Sequence, residues 1–157
     1  MLYLFARLKE EISRAKSKKS GLGIIMIDID NFKNINDTHG HRVGDIVLKR
    51  LAKILLQLIG DSGNMVSRFG GEEFVGFLVE CDKKHLIEVA ESIRETVENT
   101  IVSFRRKKIV FTVSAGAVMY PDDGEDILEL IDNVDHLLYK AKREGKNRVC
   151  FIKRKKK

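Results

Sequence analysis

A chain of 157 residues with 43% hydrophobic and 33% charged side chains is long enough for one well-packed core and too short for two. Its apolar runs last only a few residues, far below the roughly 20 that cross a bilayer, and no signal-peptide layout opens it, so a cytoplasmic protein is expected with no membrane segment. The formal net charge of +6 is concentrated at the end, where Lys153, Arg154, Lys155, Lys156 and Lys157 are all basic; removing those five leaves +1 on the body, which argues against a nucleic-acid partner and for a solvated, disordered tail over 153–157.

In chain order, Phe5, Leu8, Ile12 and Ala15 recur at helical spacing, and the isoleucine-rich run Gly21 to Asp30 suits a strand covered on both faces. A short helical turn from Phe32 to Asp37 and a longer helix from Gly44 to Ile59, with Leu51, Leu55 and Leu58 on one stripe, come next. Met65 to Phe69 and Glu72 to Val79 read as a hairpin around the loop Gly70-Gly71, two residues suited to tight turns. Leu86, Ala90, Ile93 and Val97 mark another helix. Two strands, Ile101 to Ser103 and Ile109 to Met119, flank the basic run Arg105 to Lys108, a solvated hairpin turn. The stripe Ile127, Ile131, Val134, Leu138 and Ala141 predicts a last helix stopping near Gly145, before an edge strand from Val149 to Ile152. The order α-β-α-α-β-β-α-β-β-α-β predicts an α/β fold of the α+β sandwich kind, with a mixed, mainly antiparallel central sheet flanked by helices. Cys81 and Cys150 lack metal-ligand spacing and read as thiols near strands.

Acids mark the chemistry. Alternation puts Ile24, Met26, Asp28 and Asp30 on one strand face, and it turns Glu72 and Glu73 to opposite faces. If the strands of Asp28 and Glu72 are neighbours, one acid from each clamps a magnesium ion, and only one of the two glutamates belongs to that clamp. Asn31, Phe32 and Lys33 form the first turn of a helix whose free amides and Lys33 ammonium attract phosphate, and Lys142 and Lys146 flank Gly145 as further cations. Between them, the segment Asn36 to Asp45 offers amide and carboxylate groups to a purine edge, while His39 and His41 in its glycine-containing loop read as turn and capping residues.

Five motifs then occur in order: Asp28-Ile29-Asp30-Asn31-Phe32-Lys33; Asn36-Asp37 with Gly40-His41 and Gly44-Asp45; Arg68-Phe69-Gly70-Gly71-Glu72-Glu73-Phe74; Ser114-Ala115-Gly116; and Lys142-Arg143-Glu144-Gly145-Lys146-Asn147. Together they resemble the GGDEF-domain family of diguanylate cyclases, in its GGEEF form, over roughly residues 4 to 152. The resemblance implies one such domain over 1–152, similar to the palm domains of nucleotide cyclases and polymerases. Its reaction would condense two GTP into cyclic di-GMP with release of two pyrophosphates, using two Mg2+ or Mn2+ ions per active site. Asp28, Glu72 and the Ile29 carbonyl become the metal ligands, with Glu72 and Asp28 catalytic, and Glu73 beside them in an unassigned catalytic role. Asn36 and Asp45 go to guanine, Gly70 and Gly71 to the turn beside bound GTP, and Phe32 (through its amide), Lys33, Lys142 and Lys146 to the phosphates. Since the 3′-hydroxyl of one GTP attacks the α-phosphate of another, a two-fold homodimer is implied. The alternative is a catalytically idle GGDEF module that binds GTP and regulates a partner.

Departures are specific. Asp61 and Asn64 stand where the family often carries the arginine and aspartate of a product-inhibition site, so that inhibitory site is expected to be absent. Lys146 stands where arginine is common, keeping charge without a bidentate grip. The segment that usually opens these domains is lacking, as the chain starts near its end at Met1-Leu2-Tyr3-Leu4; an N-terminal sensory or stalk region is therefore expected to be missing from this sequence.

Overall fold

The computed structural model describes residues 2–154. Of the basic tail, residues 155–157 lie outside the described residues; Arg154 lies within them and ion-pairs with Asp122 at 3.2 Å.

The elements are α1 (Leu2–Lys18), β1 (Leu22–Ile29), α2 (Phe32–His39), α3 (His41–Ile59), β2 (Met65–Gly70), β3 (Glu73–Val79), α4 (Lys83–Glu98), β4 (Ile101–Phe104), β5 (Lys107–Val110), β6 (Val113–Tyr120), α5 (Ile127–Arg143) and β7 (Val149–Phe151). β1 lies at the centre of a five-stranded sheet ordered β2-β3-β1-β6-β7, antiparallel throughout except for the β6 and β7 pair. The expected mixed, mainly antiparallel sheet is therefore present, with β7 on its edge.

Both faces of the sheet are buried, which is why β1 reads as an unbroken apolar run. Leu22, Ile24 and Met26 pack with Leu4, Leu8, Leu130, Val134 and Leu138 from α1 and α5. Ile25, Ile27 and Ile29 pack with Val47, Leu51, Leu55, Leu86 and Ile93 from α3 and α4. Two expected stripes shift. In α1 the buried line is Leu4, Leu8, Glu11 and Ala15, with Arg7 and Arg14 bonding the Glu11 carboxylate. In α3 Leu58 is on the surface and Ile59 is inside.

The strand expected from Ile109 to Met119 is two strands in different sheets. β5 pairs with β4, while β6 joins the main sheet. Phe111 turns into the core between them, and the Thr112 carbonyl accepts from Asp30 N at 2.9 Å, tying the break to the end of β1. The basic turn narrows to Arg105 and Arg106, both at positive φ. His39 ends α2 and His41 begins α3, so Gly40 alone joins the two helices. Cys81 and Cys150 are free and buried, and burial pushes the Cys81 thiol up to about 11.

Candidate active site

The hairpin turn comes one residue later than the glycine pair suggests. Gly70 pairs with Glu73 and closes the ladder, leaving Gly71 and Glu72 as the loop, with a register irregularity between Arg68 and Gly70. Gly71 takes the left-handed conformation at φ 52, and Arg68 Nε donates to its carbonyl at 2.7 Å. A slip of one residue exchanges side-chain faces. Glu73 is consequently the direct cross-strand partner of Asp28, so the two carboxylates share the α5 face. The expectation that Glu73 faces away from Asp28 is thus corrected. Glu72, in the turn, escapes strand alternation; its carbonyl accepts from Ile29 N at 3.4 Å, which keeps it against the end of β1.

Three acids thus gather where β1 ends. Burial raises the Asp28 carboxyl above its ordinary value, the Lys142 ammonium offsets part of that, and Glu72 and Asp30 add to the rise. Glu73 is raised by burial and then by Asp28, Asp135 and Glu72. Asp135, on the exposed side of α5, was not singled out from sequence. Raised carboxyl values in an acidic cluster are the electrostatic signature of a site that gains from a cation.

Asp30 differs. Its side chain is buried to 1% exposure and accepts from Ser114 Oγ at 2.6 Å, Thr112 Oγ1 at 2.7 Å and Asn147 N at 3.0 Å. Burial opposes ionisation, but these hydrogen bonds and the charge of Lys142 outweigh it and hold the carboxyl below its usual value. Asp30 is fully engaged as an anchor, whereas the Asp28 side chain keeps 14% exposure and bonds Lys142. Sequence reasoning quoted Ser114 and Asn147 within motifs and gave them no role; Thr112 carried no signal at all.

The lysines converge on the same end. Lys142 Nζ, in the last turn of α5, bonds the Asp28 carboxylate and the Ile29 carbonyl, the latter at 3.2 Å, and stands 3.2 Å from Asp30 Oδ1. Lys146 Nζ reaches Asn31 Oδ1 at 2.6 Å. Asn31 sits at φ 54 without capping α2 through its side chain, so the first-turn amides of Phe32 and Lys33 stay available to an anion. Lys146 and Asn147 are both at positive φ; Lys146 N bonds Ala141 O at 3.0 Å and Asn147 N bonds Asp30, which stabilises an otherwise costly loop.

Asn36 and Gly44 touch where α2 meets α3. A Cβ on Gly44 would collide with the Asn36 amide and come within 3.2 Å of the Phe32 ring, and Asn36 Oδ1 is buried without a hydrogen-bond partner. An unpaired buried acceptor is costly unless a ligand completes it. Asp45 is exposed on the next residue of α3. Gly44→Ala should therefore gain helix propensity yet displace Asn36. The expected result is an unchanged melting temperature with affinity for a ligand that pairs with Asn36 down about tenfold, since one hydrogen bond is worth about 1.4 kcal/mol.

Among the described residues no three His, Cys, Asp or Glu side chains stand close enough to hold an ion by themselves. The donor set nonetheless fits magnesium, which is commonly held by one or two carboxylates while substrate phosphates and waters complete its shell. An ammonium already bonded to Asp28 and the Ile29 carbonyl indicates that these oxygens suit a cation. Asp61 and Asn64 lie in the loop before β2, where Asn64 Oδ1 accepts from Val79 N at 2.9 Å.

This fold is an α+β domain with acids at the end of its central strand and cations at a facing helix end. The family model described as "Diguanylate cyclase, GGDEF domain" matches residues 2–148, and the chain belongs to that family. It is 41% identical over 154 residues to Diguanylate cyclase A of Treponema denticola, covering 96% of this chain and 41% of that protein. The chain thus spans less than half the length of the curated relatives it matches. Among solved structures it is similar to the active GGEEF domain of a diguanylate cyclase from Vibrio cholerae, with TM-score 0.88, 35% identity and coverage of 98% of this chain and 96% of that one. It is also similar to the GGDEF domain of DgcB from Caulobacter crescentus in complex with c-di-GMP, with TM-score 0.85, 27% identity and coverage of 93% and 86%. No described helix is long and apolar enough to cross a membrane.

Proposed function

We propose that residues 1–152 form one diguanylate cyclase domain, which condenses two GTP into cyclic di-GMP and two pyrophosphates across a homodimer. The observation that carries this reading is the convergence of Asp28, the Ile29 carbonyl and the Glu72 turn with Lys142, Lys146 and the uncapped start of α2. Carboxylates for a cation and cations for a triphosphate share one end of β1.

In this reading Asn36 and Asp45 hold the guanine, and the amides of Phe32 and Lys33 with the Lys33, Lys142 and Lys146 ammonium groups hold the phosphates. Gly70, closing the ladder, and Gly71, in the turn, keep bulk away from the nucleotide. Asp28, Glu72 and the Ile29 carbonyl hold divalent metal, two Mg2+ or Mn2+ ions per site. Bound metal would offset triphosphate charge and acidify the attacking 3′-hydroxyl. Each new O3′–Pα bond forms as the Pα–O–Pβ bond breaks, pyrophosphate leaves, and the hydroxyl proton passes to Glu72 or to solvent. Glu73, beside Asp28, helps set the local charge.

Because each domain holds one GTP, the attacking and attacked nucleotides sit on two copies related by a two-fold axis. Incubation with GTP and Mg2+ or Mn2+, alone and beside equimolar ATP, with products resolved by chromatography, tests the proposal. The expected product is cyclic di-GMP, formed at a rate that rises more steeply than linearly with protein concentration while dimers are scarce. An adenine-containing product, or none at high protein concentration, would sink it. With Asp61 and Asn64 in place of the arginine and aspartate, added cyclic di-GMP at tenfold excess over protein should leave the initial rate unchanged; a rate that falls on addition would contradict the absence of that inhibitory site.

A further inference from the structure

The space between Asp28 and Ile29 already holds a cation. The Lys142 ammonium bonds the Asp28 carboxylate and, at 3.2 Å, the Ile29 carbonyl. These are two of the groups that the proposed function gives to the metal. A divalent ion and an ammonium on the same oxygens would repel each other strongly, so they occupy that seat in turn.

We propose that Lys142 is a tethered cation that closes the metal seat in the ligand-free protein and moves onto the nucleotide's phosphates when the ion enters, with Asp30 as its pivot. The inference rests on reading Asp28 as a metal ligand. Asp28 and Glu73 face each other across β1 and β3, with Asp30 two residues on, and without a cation their charges would stand in a partly buried cluster. Asp30 cannot follow the ion, because Ser114, Thr112 and Asn147 hold both its oxygens; it stays 3.2 Å from Lys142 Nζ. The Lys142 side chain is 26% exposed, which leaves it a path outward. Lys146, four residues on, already reaches Asn31 at the start of α2, so a phosphate there would meet both ammonium groups.

Metal and nucleotide are coupled through this exchange. An ion arriving alone must displace the ammonium with no new partner for it, whereas an ion arriving with a triphosphate supplies one. Lys142→Met keeps most of the length of the side chain and removes its charge.

Mn2+ binding to the full chain without nucleotide, read from the electron paramagnetic resonance signal of free ion, should be at least tenfold tighter in Lys142→Met than in wild type. In wild type, the side-chain 15N ammonium resonance of Lys142 should move far more with Mg2+ plus a non-hydrolysable GTP analogue than with Mg2+ alone; this measurement decides the matter if the variant does not fold. Equal or weaker Mn2+ binding in a folded variant, or a resonance unmoved by metal and nucleotide together, overturns the proposal. If Mn2+ binds both proteins equally, only the Lys142 role fails. If it binds neither, even with the analogue, the metal-site reading itself fails.

Discussion

Glu72→Gln is expected to lower cyclic di-GMP formation by on the order of 10^3-fold or more while leaving the fold and GTP binding in place. The amide keeps the shape of the side chain and removes the negative charge that would hold the ion. The contact between Glu72 and β1 is made by its backbone carbonyl with Ile29 N, so substitution leaves it intact. Among the described residues the Glu72 carboxylate makes no ion pair, and its charge raises both Asp28 and Glu73. Removing it relaxes repulsion, and the melting temperature should hold or rise slightly. Single-turnover product analysis beside GTP titration and thermal melting separates these effects. Near-wild-type product formation by the variant would show that Glu72 is not part of the metal-binding or proton-accepting machinery.

Asp30→Asn should be the most destabilising single change near the site. Its carboxylate accepts three hydrogen bonds and faces the Lys142 ammonium in a position shut off from solvent. The amide nitrogen cannot accept, so at least one buried donor loses its partner and Lys142 loses a counter-charge. A cost of about 3 kcal/mol follows, or roughly 6–12 °C in melting temperature for a chain of this length.

The pH dependence has a definite sign. The folded carboxyl of Asp30 lies below the ordinary 3.8, so the unfolded state takes up its proton first as pH falls. The stabilisation is fully present above the unfolded value and is lost as pH drops from about 3.8 through the folded value. The gap between wild type and Asp30→Asn, measured by urea unfolding from pH 7 to pH 2, should therefore be constant at neutral pH and close at the acid end. Asp28 and Glu73 have the opposite sign, since their raised folded values cost stability at neutral pH, but both proteins carry them and the difference largely removes their contribution. A gap that stays constant down to pH 2 would contradict this account.

The candidate site was legible to different depths at different residues. Asp28 and Lys33 stood out through short local patterns, acids ending an isoleucine run and a cation in a first helical turn, whereas the preference for Asp28 over Asp30 and the choice of Asn36 and Asp45 came only from the family resemblance. Glu73 was misplaced because the hairpin turn settled on Gly71 and Glu72, one residue beyond the glycine pair, and a one-residue slip reverses the faces of a strand. That register depends on β1 and β3 pairing across more than forty residues of chain. The break between β5 and β6 was hidden for a similar reason, since β-rich sequence runs through it and only the bonds from Asp30 to Thr112 mark the point where the chain changes sheets.

By itself the sequence determined the identity and order of the elements, apart from that break, and the mixed, mainly antiparallel class of the sheet. It also carried the chemistry of the acids and lysines, because hydrophobic period, capping and charge are properties of neighbours along the chain. Only the tertiary structure decided that Asp30 is an anchor while Asp28 stays partly exposed, that Glu73 shares the Asp28 face, and that Lys142 holds the space between Asp28 and Ile29. Those outcomes rest on the pairing of β1 with β3 across more than forty residues and on hydrogen bonds spanning 82 to 117 residues. No local pattern encodes which of two nearby carboxylates will find its donors on distant strands.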